Sequence, residues 1–491
     1  MLARQQQNAS GHPVPLAAPA AAPPAIPSAP VNAPAAYRPK AYNPFGGLGI
    51  FFLSGFLFFL FSRVLDFKFA SLHLPLIFSS ICLGLAMISG FQRVFKMRVF
   101  QFFLGLTVWM VICTPFSVWK GGSIEMLKDV WSKSLMAGFI VAALVQTTAQ
   151  AVRIMKVVAF AFLAAGLLGL VYGESADGRL MLADGSYSNP NDYAIAILYG
   201  CVCWYFLLHN PRSSVFTRIF ALGVVGFLGL MLLKTGSRGA LITAAITFIP
   251  VFWRYSVMTK IALAGLMPIV LAGLLLVVPP DIRNRYITFF SSETIEKAQT
   301  AEEQEMLIKA QGSSEQRLQL LKDAARLTIL NPLFGVGPAM FAVAQNDLSV
   351  DRGAKKGAWL GTHNTYLQVS SETGLPGIFL FLAALFTCWR DLRRLDQDIA
   401  RRRDGRSQEI ATLAFTLRLL MIASMVFFFF EHIPFSPFVP VIACWIAAFA
   451  AAAREELQEQ TFSASPTGPA STGQPHSPFT RPLHSRPAVL R

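Results

Sequence analysis

Residues 361–386 read GTHNTYLQVSSETGLPGIFLFLAALF. The first part holds His363, Asn364, Tyr366, Glu372 and several hydroxyl side chains; the second is an apolar run able to enter hydrocarbon. A polar segment that leads straight into such a run describes a chain arriving at a membrane. Long apolar runs recur from residue 46 to residue 453, in a chain of 491 residues that is 54% hydrophobic, 14% charged and contains 42 Phe. A crossing helix needs roughly 20 apolar residues for about 30 Å of hydrocarbon. The composition excludes an ordinary soluble domain and predicts an all-α, polytopic membrane protein. About twelve transmembrane helices are expected, at 47–62, 71–90, 98–118, 133–149, 154–172, 192–208, 216–233, 240–256, 261–279, 372–389, 411–430 and 435–453.

Cytoplasmic loops retain Lys and Arg, which orients the spans. Arg93, Lys96 and Arg98, then Arg153 and Lys156, Arg212 and Arg218, Arg254 and Lys260, and the arginine-rich connection 390–410 all fall on one side. The opposite loops hold Arg63, Lys68, Lys120 and Lys128, with nothing comparable to that cluster. Both termini are therefore expected in the cytoplasm. The net charge of +15 reads as a topology signal and a contact for anionic membrane lipids, not as a nucleic-acid surface.

Around the spans, residues 1–44 are Ala/Pro-rich and expected to form a disordered cytoplasmic arm, with a second disordered tail over 454–491. Nine spans fill 45–279 and three fill 362–453, separated by a long outer loop, 280–361. Within that loop EQRLQLLKDAARLTIL (315–330) predicts an amphipathic helix with Leu318, Leu321, Ala325 and Ile329 on its apolar face. NPLFGVGPAMF (331–341) then ends it, so the loop reads as a helical cap over the outer ends of the spans. The six Cys all fall in or at the ends of spans, and Cys201 and Cys203, two apart, point away from each other on a helix. Neither a disulfide framework nor a metal site is expected.

Polar groups near a bilayer are costly enough to be weighed singly. Lys234-Thr-Gly-Ser237-Arg238-Gly239 joins two spans on the outer side. Its Ser can cap the next helix, whose free N–H groups, with the Lys and Arg, make an anion site suited to phosphate. The alternative is a capped turn whose cations snorkel to the interface. Arg317 opens the amphipathic helix, and two arginines converging from separate loops would suit diphosphate oxygens. His363 is either a proton-transfer group or an interfacial hydrogen-bond donor, and it shares a face with Tyr366 and Leu367 if the helix has already begun there. Glu372 to Gly377 form a turn-like break at the helix entry. Asp192 near the start of the sixth span, and Glu431 with His432 in the last outer loop, are supporting candidates.

Taken together, SRGA (237–240), Arg317 followed by NPLFGVGPAMF, and HNTYLQVSSETGLPG (363–377) resemble the O-antigen ligase and polymerase superfamily of bacterial envelope glycosyltransferases. The resemblance implies a multi-span inner-membrane enzyme that takes glycan from an undecaprenyl diphosphate carrier and passes it, without a metal or other cofactor, to an acceptor at the periplasmic face. By this likeness His363 is the catalytic His, and Arg238 and Arg317 bind the donor diphosphate; Lys234, Ser237, Asn364, Tyr366 and Glu372 are expected as further substrate contacts from their places in the same motifs. The acceptor is a lipid A core sugar for a ligase, the growing glycan for a polymerase, or a protein hydroxyl for an O-oligosaccharyltransferase. A transporter, with the arginines binding a permeating anion, is the reading from another class. Against it, the polar motifs cluster at one face, not near the midplane.

Overall fold

The computed structural model describes residues 46–65, 73–176, 178–277, 279, 282–283, 286, 301–353, 359–400 and 405–464. The expected terminal segment 1–44 and most of the tail from 465 onward lie outside these residues. In chain order the helices are α1 (Gly46–Ser62), α2 (Leu74–Ser89), α3 (Phe91–Lys96), α4 (Arg98–Cys113), α5 (Lys120–Glu125), α6 (Ser132–Leu144), α7 (Thr148–Val171), α8 (Pro190–His209), α9 (Val215–Lys234), α10 (Arg238–Arg254) and α11 (Val257–Val277). They continue with α12 (Ala301–Leu330), α13 (Phe341–Asp351), α14 (Thr365–Ile399), α15 (Gly405–Phe427) and α16 (Phe438–Ala464). An antiparallel hairpin, β1 (Gly173–Ala176) with β2 (Arg179–Leu182), follows α7. Among the described residues the fold is all-α apart from that hairpin, as expected. Each of the twelve expected spans overlaps a helix, and among the described residues seven helices are long and apolar enough to cross a membrane.

Burial separates the helices by role. The apolar window of α8 is 83% buried, whereas that of α9 is 28% buried and leaves Val215, Phe216, Ile219 and Leu222 exposed. A helix apolar on all sides and buried on all sides belongs at the centre of a bundle, and a half-exposed apolar one suits its lipid-facing rim. Lipid tails are as apolar as Leu, so cohesion between such helices comes from close packing and buried hydrogen bonds. Trp204 Nε1 of α8 donates to the Ala159 carbonyl at 2.9 Å, and Tyr199 and Ser424 hydroxyls meet at 2.7 Å. All six Cys are free and buried.

One end of the bundle is closed by ionic ties. Arg406 pairs with Glu409 at 2.5 Å and with Glu456 at 2.6 Å, and Arg212 reaches Glu409 at 2.7 Å. Two expected boundaries move here. Helix α14 continues to Ile399 because Leu392, Leu395 and Ile399 bury themselves, so Arg390, Arg393 and Arg394 lie on a helix instead of in a loop. Likewise α16 runs on to Ala464, past residue 453, with Arg454 reaching the Asp391 carbonyl and Glu456 held by Arg406.

The loop after α11 corrects the predicted apolar face. Leu318 and Ile329 are 53% and 77% exposed, while Leu320, Ala324 and Leu327 pack on Val336, Phe341 and Ala344. The face rotates because Asp323 is buried: Arg352 grips it with two bonds of 2.7 Å, and Gln319 and Gln345 donate to it. A buried carboxylate so paired is tolerated, and it carries the helix face inward with it.

This cap is bolted to α14 through its backbone. Val336 N donates to Ser371 O, Gly337 N to Glu372 O, and Leu375 N to Pro332 O. The expected break is real: Gly374 has φ 70° and ψ −173°, and a Cβ there would lie 2.1 Å from the Leu333 oxygen. That backbone region is essentially closed to other residues and costs on the order of 1–3 kcal/mol when forced. Gly374→Ala should therefore lower the unfolding temperature of the detergent-solubilised protein in scanning fluorimetry; an unchanged midpoint would contradict this attachment of cap to helix.

Candidate functional site

The other end of the bundle collects the polar motifs. His363 lies before α14, not on it: the helix starts at Thr365 with Asn364 as its N-cap, whose side chain accepts from Leu367 N at 2.9 Å. His363 itself has φ 49°, a left-handed conformation uncommon outside Gly. It follows that His363 does not share a helical face with Tyr366 and Leu367. Thr362 holds the bend, its hydroxyl donating to the Asn364 carbonyl at 2.9 Å. Thr365 ties the bend to the turn 428–437, with its N–H on Phe428 O at 2.8 Å and its hydroxyl on Glu431 O at 2.7 Å.

That tie brings two segments far apart in sequence together. His363 Nδ1 stands 3.3 Å and His432 Nδ1 2.7 Å from the same oxygen, Glu431 Oε1. The two rings meet edge to face at 5.1 Å. Neither ring nitrogen has hydrogen-bond geometry, and Glu431 Oε2 is likewise buried without a partner. Burial opposes the charge of Glu431, yet the two imidazoles override it and hold its carboxyl well below the usual carboxylate range. Burial also opposes a charge on His432, and there the Glu431 carboxylate, with Asp192 and Glu372 nearby, prevails and raises its proton affinity. The donor atoms of His363, Glu431 and His432 lie within 4.8 Å of one another, a spacing that could also hold a metal ion.

The Lys234–Gly239 turn is built as the sequence suggests. Ser237 caps α10 by accepting from Ala240 N and gives its own proton to Asn191 Oδ1 at 2.9 Å. Arg179, from the hairpin, donates to the same Asn191 oxygen at 2.7 Å and to Thr235 O at 3.0 Å, locking the turn's shape. Gly239 lies so close to Phe430 that a Cβ would be 2.7 Å from the Phe430 Cβ. The turn with Arg238 is thereby packed against the residue preceding Glu431. Arg238 is also within electrostatic range of Arg317, which reaches it from α12 and makes no hydrogen bond or ion pair with another described residue. Two cations from separate segments thus lie within electrostatic range of each other, and the turn that carries one of them, Arg238, packs through Gly239 on Phe430.

The remaining expected residues are placed as follows. Lys234 is half-buried at the end of α9. Tyr366 donates its hydroxyl to Met425 O at 2.8 Å. Glu372, 1% exposed, accepts from Ala339 N, Phe341 N and Gln368 Nε2, and so clamps the cap to α14. Sequence reasoning missed Arg179, Asn191, Thr362 and Thr365. The single available signal was the density of hydroxyl and amide residues around NPND and GTHNT.

An apolar groove of about 760 Å³ runs along the bundle between α2, α3, α4 and α6, lined by Phe91, Phe95, Phe100, Val111, Trp131 and Met136. Its Trp131 meets the Phe435 ring at 6.0 Å, in the same turn that carries Glu431. Residues 223–382 match the family model for O-antigen ligase. The matched segment includes Lys234, Arg238, Arg317, His363 and Glu372 but neither Asp192 nor Glu431 and His432. No curated protein matches the chain.

Proposed function

With an O-antigen ligase domain at residues 223–382, the chain belongs to the O-antigen ligase/polymerase superfamily, and we propose that it moves glycan from an undecaprenyl diphosphate carrier to a lipid A core hydroxyl. In this reading the site faces the periplasm from the bacterial inner membrane. The observation that supports it is that Arg238 and Arg317, carried by separate segments, lie within electrostatic range of each other. Diphosphate oxygens suit two guanidinium forks, and charge that grows on the departing diphosphate is stabilised where they point. Lys234 adds a third positive charge at the same turn.

The chemistry asks little more of the protein. The acceptor oxygen bonds to the anomeric carbon as the carbon–oxygen bond to diphosphate breaks, its electron pair leaving with the phosphate. His363 takes the acceptor proton through its Nε2, since its Nδ1 faces Glu431. Attack from the face opposite the leaving group inverts the anomeric centre. Ser237, Asn364, Tyr366 and Glu372, each engaged with neighbouring protein groups, act by holding the site's shape. The polyprenyl tail lies in the apolar groove beside Trp131.

The test is transfer by purified protein in lipid nanodiscs, supplied with undecaprenyl diphosphate glycan and lipid A core, with the product's anomeric configuration read by NMR. Transfer with inversion that survives a chelator is expected. Transfer to free glycan or to protein alone would reassign the acceptor as that of a polymerase or a protein O-oligosaccharyltransferase. No transfer to any of the three would overturn the reading in favour of a transporter.

A further inference from the structure

The turn 428–437 lies outside the matched segment, yet it supplies Glu431, which stands 3.3 Å from His363. Three buried polar atoms face one another there without a hydrogen bond: His363 Nδ1, His432 Nδ1 and Glu431 Oε2. A buried polar atom left unpaired costs about 1–3 kcal/mol, so such a trio is a site waiting for a small rearrangement or for a cation. Counting favours the first. A carboxylate offers two oxygens and the two imidazoles offer two Nδ1 positions, so one oxygen per ring satisfies all three residues, and both nitrogens already stand 3.3 and 2.7 Å from the first oxygen.

We infer that Glu431 and His432 are positioning residues for His363: the carboxylate holds the His363 proton on Nδ1 and leaves Nε2 free to accept the proton of the acceptor hydroxyl. His432, as the second ring on that carboxylate, keeps Glu431 anionic despite its burial, so that the pair presents an oriented negative charge to His363 without a net charge of its own. The proton affinity of His432, raised by Glu431, Asp192 and Glu372, agrees with this role. When His363 becomes an imidazolium, Glu431 stabilises the new charge, as an oriented carboxylate does for a catalytic imidazole elsewhere. The geometry also explains Gly361: a Cβ there would lie 2.3 Å from His432 Nε2, so only glycine leaves room for the second ring.

This inference rests on the transfer reading for its kinetic test but not for its spectroscopic one. In nanodiscs, Glu431→Gln should lower kcat at least about 100-fold while KM for the donor stays within about threefold, and Glu431→Asp should recover part of the loss. Parent-like kcat in Glu431→Gln overturns the inference while leaving the transfer reading intact. Should that variant fail to fold, the ¹⁵N shifts of the parent protein, with the His363 signals assigned by their loss in His363→Ala, decide independently of any activity. Protonated Nδ1 and bare Nε2 on His363 are expected at neutral pH. The opposite tautomer, or one equivalent of divalent metal found by elemental analysis on purified parent protein, overturns the assignment.

Discussion

Replacing His363 with Ala is expected to reduce kcat for glycan transfer by about 100- to 10,000-fold, the range that a general base contributes. The size of the effect follows from its position. His363 is held in a left-handed bend by Thr362 and against the turn 428–437 by Thr365, with its side chain 24% exposed. Such strain is retained where surrounding bonds over-determine it, and here it turns the imidazole away from the helix and toward Glu431. Donor binding should survive, because the diphosphate contacts lie on other segments. The measurement is single-turnover transfer beside donor affinity: a His363→Ala protein that transfers at the parent rate would remove His363 from the chemistry. Loss of donor affinity with an intact rate would make it a binding residue instead.

Loss of the second arginine pair member should be as severe. Arg238→Ala and Arg317→Ala are each expected to cost about 100- to 1,000-fold in kcat, the scale of losing one preorganised partner of a developing negative charge. Together they should cost less than the product of the two, because either arginine alone holds the leaving group loosely. Lys at either position should recover only part of the rate, since a point charge does not reproduce a guanidinium fork. Arg317 is the more informative of the two. Its helix belongs to the cap, so a strong effect there shows that the cap completes the site. Full activity of Arg317→Ala would confine diphosphate binding to the Lys234–Gly239 turn.

Some of the site was legible in the chain and some was not, for reasons that differ by residue. Ser237 is readable because a helix N-terminus leaves N–H groups that a short polar side chain must satisfy, whereas Asn364, expected as a substrate contact, caps α14 in the same way. The break at Gly374 is readable from the Gly-Leu-Pro-Gly run. The face of the cap helix was misread since periodicity ranks residues by polarity. It has no means of knowing that Arg352, distant in sequence, would neutralise Asp323 and let it turn inward. Arg179 was invisible for a similar reason: its value lies in reaching Asn191 and Thr235 across a fold that local pattern does not describe.

The sequence by itself determined the membrane class, the helical architecture and the polar motifs, because a bilayer demands long apolar helices and penalises every stray charge. The tertiary structure decided which of those polar groups meet. Arg238 with Arg317, and His363 with Glu431 and His432, come from segments far apart in the chain. Packing sets His363 against Glu431 and His432: Thr365 on the turn 428–437 closes a distance that helical and strand periods cannot encode, and Gly239 on Phe430 brings the Arg238 turn against the same segment.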